Sequence, residues 1–244
     1  MMKKNKQVKE GPRKGCQDIW NASMVEGASF SPNDIPLCQT TADFMPDRLV
    51  SYTEAKTIYM KARRNGHLNR KEKAFVHFWI DDQKFDGKKK GIWQAPEEAI
   101  RIVRHFSGMI TPDFSTCLDF PKPIIIYNTY RMRAFGRWAG IQGIPVINNV
   151  RWGPRFTWSF CWEGIPQNSI VAIGTVASGM RSFVNRSIFE EGLAEMVRVL
   201  RPHSILVYGS SNYKCFDKLK ERGIRIKTIA SRMNQTFKGG GGRE

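Results

Sequence analysis

The sequence predicts an α/β protein, a (β/α)8 barrel of the TIM type, with any irregularity falling near strands three and four. Three observations point there. Short apolar runs such as IIIY (124–127), VAI (171–173) and ILVY (205–208) are nearly continuous, as strands are when a parallel sheet is covered on both faces. Segments with helical spacing alternate with strand-like runs from residue 34 onward. The length of 244 residues suits one barrel of about 250 residues. An open doubly wound sheet is the alternative architecture.

Eight strands are expected. The first is IPLCQTTA at 35–42, followed by a helix over 51–66 that opens on Ser51 with Glu54 in capping-box position. The second strand is AFVHFWID at 74–81, and the next helix, 96–106, begins at Pro96 with two acids in its first turn. The third strand, 108–115, is interrupted by Pro112, and PIIIYNTY at 123–130 is the fourth. The connection 116–122 is too short for a crossover helix, which needs about a dozen residues, so irregularity is expected there. A helix over 131–143 leads to strand five at 144–152. Strand six spans 169–176, a helix spans 187–202, and strand seven spans 203–210. A helix over 213–223 and strand eight at 224–230 complete the set.

Three regions follow from composition: a basic, loosely ordered extension over 1–30, one barrel domain over 31–232, and a flexible Gly-rich tail over 233–244. Lys and Arg number 39 against 22 Asp and Glu, a net charge of +17. The basic residues concentrate in 1–14, in 61–73 and in the triple lysine 88–90. Such charge attracts polyanions, so nucleic acid is an expected partner. A protein partner is the other expectation. No apolar run reaches membrane-spanning length, and the basic N-terminus lacks the apolar core of a signal peptide. The five cysteines, at 16, 38, 117, 161 and 215, form no CxxC pair, which fits a reducing cytoplasm rather than a disulfide framework or a zinc site. No Gly-rich nucleotide-binding fingerprint occurs.

Parallel barrels carry chemistry where strands end, and a polar ring is expected there. Asp82 and Asp113 are candidate catalytic carboxylates and candidate ligands for a divalent cation, with oxygen donors suited to a hard ion; turn capping is the structural alternative. Asn128 and Tyr208 complete the candidate catalytic set. Ser115, Arg131, Arg133, Trp152, Thr175, Gly209 and Ser210 are candidate ligand-binding residues. The arginines can grip phosphate through a planar fork, and Gly209 and Ser210 open a strand-to-helix turn that could cradle an anion. Trp138, Trp152, Trp158, Trp162, Phe156 and Phe160 crowd one stretch; core packing is weighed ahead of base stacking for them. Cys161 among these aromatics reads as structural.

The ordered motifs FWIDDQKF (78–85), TPDFS (111–115), YNTYRMR (127–133), IPVINNVRW (144–152), SFCWEGIP (159–166), VAIGTV (171–176) and LVYGS (206–210) resemble the family called domain of unknown function 4417. The likeness covers roughly 75–215. It implies a bacterial, phage or mobile-element lineage and supplies no reaction. The positions matching the family pattern are Asp82, Asp113, Ser115, Asn128, Arg133, Trp152, Ser159, Gly164, Thr175, Tyr208 and Gly209. The expected function is binding of, or action on, nucleic acid or a phosphorylated ligand at the strand-end face. If enzymatic, it would be metal-assisted phosphodiester hydrolysis. The alternative is a non-catalytic accessory protein that docks on a host or phage protein.

Overall fold

The computed structural model describes residues 12–88, 90–176 and 182–231. Seven strands form one sheet: β1 (Leu49–Ser51), β2 (Glu72–His77), β3 (Phe106–Ile110), β4 (Val146–Asn149), β5 (Ile170–Gly174), β6 (Ser204–Tyr208) and β7 (Arg225–Ile229). Their order in the sheet is their order in the chain, and every neighbouring pair is parallel. The sheet curls into a half-barrel rather than a closed eightfold barrel. No ladder joins β1 to β7 among the described residues. At that seam the Lys227 ammonium of β7 reaches the Asp47 carboxylate just ahead of β1.

The curl is visible in the packing. One cluster takes Phe75 from β2, Ile110 from β3, Ile147 from β4, Ile170 and Ala172 from β5 and Leu206 from β6, with Leu49 and Ile229 packed against it. All seven strands therefore point side chains into one interior. Residues of opposite parity, such as Val76, Met109 and Val146, face outward to the helices. Both faces are covered, which explains the continuous apolar runs.

Five helices lie outside: α1 (Tyr52–Arg64), α2 (Pro96–Val103), α3 (Lys122–Ile141), α4 (Phe183–Leu200) and α5 (Lys214–Glu221). The capping box at the start of α1 forms as its sequence directs: Ser51 accepts from the Glu54 amide, and Glu54 accepts from the Ser51 amide. Pro96 occupies the first turn of α2.

Two expected strands are not strands. Residues 123–130 lie inside α3, whose buried positions Ile125, Asn128, Thr129, Met132, Arg133, Phe135, Gly136 and Ala139 recur at helical spacing. The apolar run IIIY imitates a buried strand locally, but the pattern continues as one helical face through residue 139. This helix supplies the β3-to-β4 crossover, so the irregular crossover does not fall at 116–122. It falls between β4 and β5, where a 3-10 turn, Arg155–Thr157, takes the place of an α-helix. There Phe160, Cys161, Trp162 and Ile165 fill the outer core.

The segment 35–42 is extended but forms no ladder within the sheet; its one bridge is antiparallel, Pro36 with Phe30. It closes the strand-start end of the half-barrel instead. The Thr41 amide donates to the Val146 carbonyl, and Thr40 Oγ1 donates to the Ile170 carbonyl at 3.3 Å. The first strand is the three-residue β1, unannounced by composition. Of the sequence-defined regions, residues 1–11 and 232–244 lie outside the described residues.

Candidate functional site at the strand-end mouth

Alternate residues of β2 point inward, and continuing that parity beyond Phe75 and His77 brings Trp79 over the C-terminal mouth. Its indole lies flat on Tyr208 at the end of β6, with centroids 5.0 Å apart and planes 7° apart. His77 supports the same tyrosine from below at 4.4 Å. Gly174 at the end of β5 makes room for this shelf: a Cβ there would stand 2.9 Å from Trp79 Nε1.

A chain of hydrogen bonds crosses the floor. Trp79 Nε1 donates to Asn149 Oδ1 at 3.2 Å, Asn149 Nδ2 donates to Asp113 Oδ1 at 2.7 Å, and Arg151 Nη1 donates to Asp113 Oδ2 at 2.7 Å. The amide orientation follows from its partners, since an indole only donates and a carboxylate only accepts. Asn149 and Arg151 reach the mouth by inner-face parity, continuing from Ile147. Burial pushes the Asp113 carboxyl above its ordinary pKa; Arg151 and Asn149 pull it back, and Asp82 adds to the rise. The Asp113 charge in turn holds Arg151 above the usual guanidinium value.

A second network braces the wall. Both oxygens of Asp82 serve Ser115, accepting from its amide at 3.0 Å and its hydroxyl at 2.9 Å. The Ser115 carbonyl accepts from Asn128 Nδ2, Asn128 Oδ1 accepts from Arg131 at 2.7 Å, and Arg131 pairs with Asp86 at 2.5 Å. The Arg131 guanidinium also sits 3.9 Å over the Phe114 ring. This ladder pins Phe114 and Ser115 at one side of the mouth.

Between shelf, floor and wall lies an open cavity of about 540 Å³. Asp82, Asp113, Ser115, Trp152 and Tyr208, all expected from sequence, line it, together with Trp79, Asn149, Arg151 and Gly174. Trp152 rests on Phe189 at 5.1 Å and covers Gly192, where a Cβ would meet its ring at 2.1 Å.

The other expected residues stand outside the lining. Asn128 and Arg131 belong to the bracing ladder. Arg133 is fully buried and gives its guanidinium to the carbonyls of Glu163, Asn149 and Cys161; burial lowers its pKa to about 10. Thr175 ties strand ends together, accepting from the Ser210 amide at 2.8 Å and donating to its carbonyl at 2.9 Å. Gly209 takes a φ of +123° beside Thr175, a conformation side chains rarely adopt, and Ser210 Oγ accepts from the Asn212 amide at 3.2 Å.

Both candidate metal-binding carboxylates already have partners: Asp82 accepts from Ser115, and Asp113 accepts from Asn149 and Arg151. Among the described residues no group of three or more His, Cys, Asp or Glu side chains could hold a metal. Of the aromatic stretch, Phe160 and Trp162 are core, Trp138 packs on Phe135 at 6.0 Å, Trp158 joins the edge of the outer core, Phe156 is exposed, and Trp152 alone reaches the cavity. All five cysteines are free; burial pushes Cys38 up to about 12 and raises Cys161 as well. Among the described residues no helix is long and apolar enough to cross a membrane.

Sequence reasoning missed Trp79, Arg151 and Gly174 as site residues. The signal was available for the first two: each lies two residues beyond an inward-facing neighbour on its own strand.

The model of the family described as "Domain of unknown function (DUF4417)" matches residues 28–227, a longer stretch than the motif-bearing 75–215. The Gene 1 protein of Mycobacterium phage L5 is 33% identical over 196 residues, covering 80% of this chain and 79% of that protein. The Gene 1 protein of Mycobacterium phage D29 is 32% identical over 200 residues, covering 82% of this chain and 68% of that protein. No solved structure matches the chain. A family match across most of the half-barrel, together with two phage relatives above 30% identity, places the chain: it belongs to the family Domain of unknown function (DUF4417).

Proposed function

We propose that the chain is a phage- or mobile-element-encoded cytoplasmic protein that binds a phosphorylated planar ligand, of the nucleotide type, in the strand-end mouth. The observation that carries this reading is the pairing of an aromatic shelf with an anchored cation in one cavity. Trp79 lies flat on Tyr208, and Arg151, held by Asp113, keeps 31% of its side chain exposed. An indole face stacks on heterocyclic bases for about 1–3 kcal/mol each. A guanidinium with N–H groups to spare grips phosphate oxygens. Binding, rather than turnover, is what the committed carboxylates support.

The test is to release and identify what copurifies. Mass spectrometry of small molecules from the wild-type protein should show a nucleotide-class compound that is depleted in Trp79→Ala. Equal recovery from both proteins, or none from either, counts against the reading.

A second reading, a non-catalytic accessory protein docking on a host or phage protein, draws on the apolar rim of the same mouth. Leu118 and Val176 line the cavity and are exposed, and Phe183 at the start of α4 is 83% exposed. Exposed apolar groups so placed favour a protein surface as partner.

A further inference from the structure

The half-barrel has two ends, and six exposed cations with no carboxylate partner among the described residues gather at the end away from the mouth. Because all strands run parallel, every helix ends and every following strand begins at that far end. Arg63 and Arg64 close α1 there, Arg70 and Lys71 lie in the turn into β2, Arg101 sits in the last turn of α2, and Arg104 caps it. All six are exposed. Arg63 and Arg101 line one groove of about 360 Å³ between α1 and α2, so the two helix ends present a joined surface.

The nearby acids are already used. Glu72 pairs with Arg48 at 3.1 Å, and Glu98 reaches Lys56 at 3.9 Å. None of the six cations has a carboxylate partner among the described residues; Arg104 donates only to the neutral Gln142. A cluster of this kind carries a repulsive self-energy unless a polyanion meets it. Five of the six are arginines, whose forks fit phosphate diesters.

We infer that the strand-start end, over α1 and α2, is a contact surface for the phosphate backbone of double-stranded nucleic acid. A membrane is the less favoured polyanion. A membrane-bound surface combines cations with a broad apolar face that inserts; here Met60 and Leu68 are exposed beside the cations, whereas the larger exposed apolar group, Leu118, Phe120, Phe156, Phe183 and Val184, lies toward the mouth. This surface is independent of the mouth site, and its contacts are to backbone, without base readout.

The test uses the full chain and a fluorescent 20-base-pair DNA duplex of mixed sequence, titrated across a salt series. Wild-type affinity should fall steeply with salt. Reversal of three charges, Arg64→Glu with Arg70→Glu and Lys71→Glu, should weaken binding at least about tenfold and flatten the slope of log affinity against log salt by about 3. Reversal of three exposed cations at the mouth end, Lys88→Glu with Lys90→Glu and Lys122→Glu, should leave both nearly unchanged. The exposed sites allow all variants to fold, which a thermal melt verifies, and nucleotide binding in the mouth should survive the triple reversal. Equal weakening by the two sets of reversals would show diffuse attraction and overturn the inference. So would wild-type-like DNA binding by the triple variant, or sedimentation with phosphatidylserine vesicles without DNA binding.

Discussion

Asp113 and Arg151 meet at 2.7 Å across the floor of the mouth, and they are unequally buried: 12% of the aspartate side chain is exposed against 31% of the arginine. That inequality decides what each substitution should do. Without its carboxylate partner, Arg151 can turn to water. Without Arg151, Asp113 stays nearly dry beside Asp82. Asp113→Asn should therefore change stability by less than ~1 kcal/mol at pH 7, because relief of the buried charge offsets the lost pair. Arg151→Ala should cost about 2–3 kcal/mol. Urea unfolding of the two variants checks the ordering, and an equal or reversed cost would contradict it.

The same pair has a pH signature. Burial, partly offset by Arg151 and Asn149, holds the folded-state pKa of Asp113 above its ordinary 3.8. The folded chain therefore binds that proton more tightly than the unfolded chain, and stability from this group falls as pH rises from 3.8 through the folded value. Arg151→Ala removes the main opposing charge and widens the window upward. Its stability deficit should shrink as pH is lowered from 7 toward 5; a deficit constant with pH would assign the loss to packing alone.

Gly174 is tied to the shelf by contact. A methyl group there would stand 2.9 Å from Trp79 Nε1 and 3.0 Å from Cδ1, so Gly174→Ala must displace the indole. The expected cost is about 1–3 kcal/mol, with a changed tryptophan emission spectrum and loss of ligand binding. Unchanged emission would show that the shelf is not held as described.

Arg133 was expected among the ligand-binding residues, and its position argues for a different experiment. It is fully buried on main-chain carbonyls, so Arg133→Met strands three acceptors. We expect a loss of roughly 3–5 kcal/mol, read as a Tm lower by about 10 °C. A variant as stable as wild type would return this arginine to the list of functional candidates.

The sequence made the inner architecture legible wherever strand and helix obeyed simple periods. The β2, β5 and β6 runs and the Ser51–Glu54 capping box are read directly. It misled at 123–130 because three β-branched residues in a row match a buried strand until the longer helical period is followed to Ala139. It misled at 35–42 because extended chain that plugs the strand-start end of a half-barrel has the composition of a strand without its ladder. The mouth was half legible for a related reason. Acids and tyrosine at strand ends are conspicuous, whereas Trp79 and Arg151 are distinguished only by inward parity, which needs the register of their strands.

The N-terminal cations give a separate expectation. Residues 1–14 include Lys3, Lys4, Lys6, Lys9, Arg13 and Lys14 against Glu10. Deleting them should weaken binding to duplex DNA and reduce its salt dependence. Affinity that ignores both the truncation and the salt would remove nucleic acid as a partner.

The central claim, a planar phosphorylated ligand in the mouth, is tested most directly by tryptophan fluorescence during titration with adenosine monophosphate, adenosine and inorganic phosphate. Saturable quenching by the nucleotide is predicted, weaker with adenosine, weaker again in Arg151→Ala, and absent in Trp79→Ala. Quenching that is identical in wild type and Trp79→Ala, or no saturable response to the nucleotide at millimolar concentration, would contradict it.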